Sequence, residues 1–131
     1  MYGLRSFTAV FLLGTVIFLC AGCMSSYTHL GIDDAKRIMK TNPNAIILDV
    51  RTPEEFDKKH IKGATLLPIE NLRSGNLSKL PDKDRPIFVY CWTGRRAEDA
   101  AELLTKRGYT KVYDFGGLID WTGEVEGSDV K

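Results

Sequence analysis

Cysteine and histidine are scarce in this chain of 131 residues. The three cysteines are Cys20, Cys23 and Cys91, and the two histidines are His29 and His60. A structural zinc site takes four closely spaced Cys and His ligands, and no such spacing occurs here. The sequence therefore predicts no metal site.

An excess of one charge is also missing. The chain has 18 Lys and Arg against 17 Asp and Glu, which gives a formal net charge of +1. Domains that bind nucleic acid carry a marked basic excess, so we expect no nucleic-acid partner. The apolar fraction of 44% and the length are ordinary for a single globular domain.

The first 22 residues are typical of a signal peptide. Arg5 precedes an apolar run from residue 7 to residue 19, and small residues follow it. The segment Ala21-Gly22-Cys23 resembles the end of a bacterial lipobox, whose cysteine becomes the lipidated first residue of the mature chain. The resemblance implies a lipid on Cys23, a tether over residues 23–27 and a membrane-anchored protein of the bacterial cell envelope, outside the cytoplasm.

Two alternatives stay open for this N-terminus. Cys20 stands three residues before Cys23, where a lipobox usually has Leu. The charge-free stretch over residues 7–24 has 18 residues, which is near the lower limit for a transmembrane helix. An uncleaved anchor and a periplasmic protein are therefore kept beside the lipoprotein interpretation.

Strand-like and helix-like segments alternate from residue 28 onwards. Ile46, Ile47 and Leu48 run without polar alternation, as a buried parallel strand does. Helices are predicted after a cap at Asp33 and from Pro53. The remaining strands are expected at 28–30, 65–67, 87–90 and 112–115, and the remaining helical segments at 69–80, 96–107 and 118–121. This alternation predicts an α/β fold with a parallel sheet covered on both faces.

Cys91 follows the apolar run at residues 87–90 and precedes the predicted helix 96–107. Functional sites of parallel sheets lie at the carboxyl ends of strands. Free N–H groups at a helix start, together with Arg95 and Arg96, favour an anion and hence a thiolate. We therefore expect a reactive thiol. With Cys23 acylated and residues 1–22 removed, it is the only free thiol, which excludes a two-cysteine redox mechanism.

Four segments, in order, resemble motifs of single-domain rhodaneses, which are sulfurtransferases. They are residues 49–56 (DVRTPEEF), 60–64 (HIKGA), 91–97 (CWTGRRA) and Gly116-Gly117 followed by Trp121. The resemblance covers residues 28–124 and leaves 125–131 as a flexible tail. It implies a three-layer rhodanese-like fold, with a five-stranded parallel sheet between helices.

The resemblance also implies a chemistry. The Cys91 thiolate takes a sulfane sulfur from a donor such as thiosulfate and passes it to a thiol, or to cyanide in an assay. The intermediate is a covalent persulfide, so no cofactor is required. Trp92, Thr93, Gly94, Arg95 and Arg96 form the substrate-binding loop, and the sequence names no protein acceptor.

Individual residues of these motifs receive narrower roles. Trp92 is expected to line the mouth of the pocket, and Gly94 to take a positive φ. We expect Arg95 to face the donor and Arg96 to anchor the loop to a carboxylate. Asp49 and Arg51 are supporting residues that pair with loop groups, or Arg51 pairs with Glu55 four residues on.

Two other functions are compatible with a cysteine in this position. A phosphatase or arsenate reductase of the same fold uses a longer anion-binding loop, whereas Cys91 to Arg96 spans six residues and Ala97 takes the seventh position. A non-catalytic persulfide carrier would keep the same cysteine. The loop length favours sulfur transfer over oxyanion chemistry, and the carrier stays an alternative.

The lipidation hypothesis makes a direct prediction. Replacing Cys23 with Ala leaves an unprocessed precursor, because lipid addition precedes cleavage. Fatty-acid labelling and detergent partitioning of the wild type and of Cys23→Ala measure this. Unlipidated mature protein in the wild-type periplasm would contradict it without touching the rest of the chain.

Overall fold

A computed structural model describes residues 26–131 of the chain. Cys20, Cys23, the predicted signal peptide and most of the predicted tether lie outside them. The strands are β1 (Thr28–His29), β2 (Ile46–Asp49), β3 (His60–Ile61), β4 (Thr65–Leu66), β5 (Ile87–Cys91), β6 (Val112–Gly117) and β7 (Val125–Glu126). The α-helices are α1 (Ile32–Thr41), α2 (Pro53–Lys58), α3 (Ile69–Ser74) and α4 (Arg95–Lys106), and Leu118–Asp120 forms a 3-10 turn.

Five strands form one sheet in the order β1-β6-β5-β2-β4, and every neighbouring pair is parallel. This confirms the predicted α/β fold and its five-stranded parallel sheet. All five residues of the central strand β5 are buried, because helices cover the sheet on both sides. Its side chains alternate between the two faces, with Val89 and Cys91 towards α3 and α4, and Phe88 and Tyr90 towards α1.

Two predicted boundaries differ from the structure. Helix α1 begins at Ile32 with Gly31 as its N-cap, so Asp33 lies in the first turn and is not the cap. There a carboxylate still favours the helix through its dipole. Strand β6 continues through Gly116 and Gly117, whereas the sequence predicted that it ends at residue 115.

The predicted flexible tail is wrong for its first residues. Val125–Glu126 forms β7, which pairs antiparallel with β3 in a separate two-stranded sheet. Beyond it, the Ser128 and Asp129 amides donate to the carbonyls of Asp57 and Lys58, each at 2.9 Å. The tail therefore lies against the end of α2. Within residues 26–131, no helix is both long and apolar enough to cross a bilayer.

A buried ion pair fixes the end of β2. Asp49 accepts from Arg51 Nε at 2.9 Å and from an Arg51 terminal nitrogen at 2.7 Å, and both side chains are almost completely buried. The same nitrogen donates to the Lys59 carbonyl at 2.7 Å. The predicted Arg51–Glu55 pair does not form, because Asp49 lies closer and presents both carboxylate oxygens to the guanidinium.

This pair makes stability depend on Asp49. Burial lowers the pKa of Arg51, but hydrogen bonding to Asp49 and its charge outweigh this, so the net pKa is raised and the cation persists. Asp49→Asn leaves that cation buried without a countercharge, and we expect a loss of about 3–5 kcal/mol in the free energy of unfolding. Urea denaturation measures it.

Asp34→Asn is the matched control for this experiment. Asp34 pairs with Arg37 at 2.6 Å on the exposed face of α1, and its loss should change stability by less than about 1 kcal/mol. Equal effects of the two substitutions would contradict the role given to burial.

Candidate active site

Cys91 is the last residue of β5 and opens the segment that connects it to α4. The cysteine is 1% exposed and packs among apolar core residues. Its position at the carboxyl end of the central strand is the one that the sequence predicted. A site here is thus fixed by the middle of the sheet rather than by a free loop.

A backbone amide donates to the sulfur. The Gly94 N–H lies 3.0 Å from Cys91 Sγ. Gly94 is the N-cap of α4, has φ +116°, and offers the helix no side-chain cap. The first N–H groups of α4 have no partner within the helix, so this end of the helix favours a negatively charged sulfur. The Gly94 amide and the start of α4 thus both present positive partial charge to Cys91 Sγ.

Two glycines of β6 press against this loop. A Cβ at Gly94 would come within 3.3 Å of Gly116 Cα, and a Cβ at Gly117 would overlap the Trp92 carbonyl. The same carbonyl accepts from the Ile119 amide at 3.1 Å. Close approach of backbone to backbone therefore explains Gly117, whereas Gly116 is explained by its positive φ of +87°.

Arg96 and Glu55 form a two-pronged ion pair beside the sulfur. The two terminal nitrogens of Arg96 donate to Glu55 Oε2 and Oε1 at 2.8 and 2.9 Å. Hydrogen bonding to Glu55 raises the pKa of Arg96, and the nearby Cys91 sulfur adds to the rise. Arg96 thus makes the carboxylate contact expected of the anchoring arginine, and it also lies next to Cys91.

Glu55 is itself held in place by its helix. Its side chain accepts from the Thr52 amide at 3.0 Å, while the Glu55 amide donates to Thr52 Oγ1 at 3.3 Å. This reciprocal arrangement is a capping box. Hydrogen bonds from Arg96, with that from Thr52 and the cation charge, lower the pKa of Glu55 to about 2.

Arg95 lies on a different surface from Arg96. It is exposed and lines a cavity of about 420 Å³ together with Tyr27, His29 and Asp114. In that cavity His29 Nδ1 lies 2.8 Å from Asp114 Oδ2, and the Asp114 side chain is buried. Thr93, also exposed, lines the same cavity. The two arginines therefore serve different surfaces.

A second cavity opens beside the Arg96–Glu55 pair. It measures about 330 Å³ and is lined by Arg51, Glu55, Lys58, Lys59, Trp92 and Asp129. We call it the mouth. Trp92 is 41% exposed there.

Sequence reasoning missed several of these neighbours. The Glu55–Arg96 pair joins residues 41 apart. The spacing Thr52-x-x-Glu55 signals a capping box and could have located the carboxylate at the start of α2. No sequence signal indicated that Asp129 would reach the mouth, since that depends on the pairing of β3 with β7.

His60 packs against the aromatic ring of helix α2. Its ring stacks on Phe56 with centroids 3.7 Å apart, and its Nδ1 lies 2.7 Å from the Phe56 carbonyl oxygen. These contacts give His60 a packing and hydrogen-bonding role. Residues 26–131 hold no cluster of Cys, His, Asp and Glu that could bind a metal ion.

Comparison with known proteins places this geometry in a family. Residues 32–124 match the rhodanese-like domain. The chain is 38% identical over 73 residues to the thiosulfate sulfurtransferase PspE of Escherichia coli, covering 56% of this chain and 70% of that protein. It is 34% identical over 103 residues to the putative sulfur carrier protein YrkF of Bacillus subtilis, covering 78% of this chain but only 55% of that relative.

A solved structure gives the same result. The rhodanese-like domain of the Anabaena protein Alr3790 is 32% identical, covers 81% of this chain and 82% of that chain, and superposes with a TM-score of 0.67. Several relatives named thiosulfate sulfurtransferase match as well, among them GlpE of Tolumonas auensis at 31% identity over 91% of its length. The chain therefore belongs to the rhodanese-like domain family.

Proposed function

We propose that this protein is a sulfurtransferase that moves a sulfane sulfur from thiosulfate, through a persulfide on Cys91, to a thiol acceptor. The observation that supports this proposal most directly is the 3.0 Å hydrogen bond from the Gly94 amide to Cys91 Sγ at the start of α4. A buried sulfur that accepts a backbone hydrogen bond and faces a helix N-terminus is suited to act as a thiolate nucleophile.

The first step loads the cysteine. The Cys91 thiolate attacks the outer sulfur of thiosulfate and forms a new S–S bond. The bond between the two thiosulfate sulfurs breaks, its electron pair leaves with sulfite, and the persulfide anion remains on Cys91. Charge is conserved, because a thiolate and a dianion become a persulfide anion and the sulfite dianion.

The second step unloads it. A nucleophile, cyanide in an assay or a thiolate in the cell, attacks the outer sulfur of the persulfide. The S–S bond breaks and its electron pair returns to Cys91 as a thiolate. The loop amides that stabilise the Cys91 thiolate before loading stabilise it again after the transfer. No cofactor takes part.

Arg96 is the positive charge that we assign to the reacting sulfur. Its Glu55 partner holds the guanidinium plane beside Cys91, where it favours the negative sulfur and the departing sulfite. Arg95 lies on the separate cavity and is available to steer an anionic donor from outside.

The proposal also covers the location of the protein and the alternative functions. A lipid on Cys23 would tether the domain to the cell envelope, with membrane contact through the lipid alone. The alternative function is a persulfide carrier without turnover, which the relative named a putative sulfur carrier protein favours. A phosphatase or arsenate reductase is less well supported, because the loop closes after six residues at Arg96.

Cys91→Ser tests the transfer chemistry. A serine hydroxyl neither ionises at neutral pH nor forms a stable persulfide, so sulfur transfer should fall to the uncatalysed rate. Intact mass is measured before thiosulfate, after it and after cyanide. The wild type should gain and then lose one sulfur atom.

Steady-state kinetics separate the enzyme from the carrier. An enzyme forms thiocyanate over many turnovers, whereas a carrier stops after about one equivalent. Catalytic transfer by Cys91→Ser would disprove the proposal. Unchanged circular dichroism of this variant shows that it has folded.

The pH dependence of the stability of Glu55→Gln tests whether the Glu55 carboxylate holds Arg96 in place. The pKa of Glu55 is lowered from its ordinary 4.5 to about 2 by folding. Its ionised form therefore stabilises the folded state above about pH 5, and that contribution is lost as the pH falls towards 2. We expect the wild type to have a larger free energy of unfolding than Glu55→Gln near neutral pH. This difference should shrink as the pH falls from about 5 towards 2.

Urea denaturation at a series of pH values measures this difference. A constant difference across the range would show that the Arg96 ion pair does not contribute. Glu102→Gln serves as the control, because Glu102 pairs with Lys106 on the exposed side of α4 at 3.6 Å.

A further inference from the structure

Exposed apolar side chains are concentrated beside the candidate site. Within residues 26–131, the large hydrophobic side chains that are exposed are Trp92 at 41%, Ile119 at 57% and Val130 at 38%. The Ile119 amide donates to the Trp92 carbonyl, and Val130 directly follows Asp129, which lines the mouth with Trp92. Such a concentration marks an interaction surface, whereas scattered single residues would not.

The charges at the same place are unbalanced. Arg51 and Arg96 already have carboxylate partners. Lys58 and Lys59 line the mouth and form no ion pair within the described part of the chain, and Asp129 is the carboxylate that opposes them. The mouth thus presents two free ammonium groups against one free carboxylate, although the whole chain is nearly neutral.

The depth of the sulfur restricts what can reach it. Cys91 is 1% exposed, whereas Trp92, the next residue, is 41% exposed. A thiol on a flat protein surface would not reach so buried a sulfur. A thiol carried on a protruding loop would extend beyond its own surface, and the exposed apolar side chains near the site would contact the flanks of that loop.

We propose that the rim of Trp92, Ile119 and Val130, with Lys58 and Lys59, docks a partner protein that presents a cysteine on a protruding loop flanked by acidic residues. The inference rests on the proposed function, since the partner cysteine takes the sulfane sulfur. Exposed tryptophan at a protein surface is a frequent centre of binding energy, and the lysines select an acidic flank.

The transfer is balanced within the two proteins. The partner thiol loses its proton to solvent, and its thiolate attacks the outer sulfur of the Cys91 persulfide. A new S–S bond forms on the partner while the S–S bond to Cys91 breaks. The electron pair stays on Cys91 Sγ, so the partner leaves as a persulfide and no external oxidant or reductant is needed.

Two synthetic peptides serve as probes. Each carries one cysteine between apolar residues, flanked by Glu in one peptide and by Lys in the other. The full-length protein is loaded with thiosulfate, and loss of the persulfide is followed by intact mass at low salt. We expect the Glu peptide to react about tenfold faster than the Lys peptide, and the gap to narrow at high salt. Each rate is divided by that with 2-mercaptoethanol, which corrects for changes in the intrinsic reactivity of the loop.

Paired variants assign the effect to the surface. Lys58→Ala/Lys59→Ala should abolish the preference for the Glu peptide. Lys40→Ala/Lys111→Ala removes the same charge from exposed sites that do not line the mouth and should keep the preference. Ile119→Ser/Val130→Ser should lower the normalised rate of both peptides severalfold, because each peptide contacts the apolar rim.

Binding is measured apart from transfer. The Glu peptide with Ser in place of Cys, carrying a fluorophore, is titrated with the unloaded protein, and anisotropy gives the Kd. Binding of this peptide without any persulfide formation would support docking while overturning the proposed function. Normal loading and unloading by 2-mercaptoethanol, with equal rates and affinities for the two peptides, would overturn docking alone. Self-association that depends on Ile119 and Val130 would likewise overturn it in favour of a second copy of this chain.

Discussion

The site depends on an irregularity in the strand next to Cys91. From the pair Val89–Asp114 to the pair Cys91–Gly117, β5 advances by two residues while β6 advances by three. The extra residue is accommodated by Gly116 at φ +87°, whose amide donates to the Asp114 carboxylate at 2.9 Å. This bulge sets Gly117 beside the loop, where any side chain would collide with the Trp92 carbonyl. The loop can then turn tightly enough for Gly94 to reach the sulfur.

Much of the fold was predictable because its signals are local. Uninterrupted apolar runs located β2 and β5, and Pro53 located the start of α2. The position of Cys91 followed from the same local pattern, since a strand, a glycine and a helix occur within a few residues. These features depend on neighbours in sequence, which sequence reasoning can read.

The features that were missed are set by distant partners. A four-residue spacing suggested Arg51 with Glu55, but the chain pairs Arg51 with Asp49 and gives Glu55 to Arg96 on another helix. Residues 125–131 were predicted to be a flexible tail because the resemblance to the family motifs ends at residue 124. Their order comes from β3, a two-residue strand whose edge would otherwise be open. Pairings of this kind are visible only once the sheet has been assembled.

The strand order also governs when the chain can fold. His29 of β1 meets Asp114 of β6, 85 residues further along, and β6 also completes the central strand β5. Until residues 112–117 have been synthesised, β1 has no partner and one side of β5 is bare, so the nascent domain cannot close its core. The five-stranded sheet is therefore complete only when translation is nearly finished, because its edge strand β1 is the first to be synthesised and its partner β6 the last.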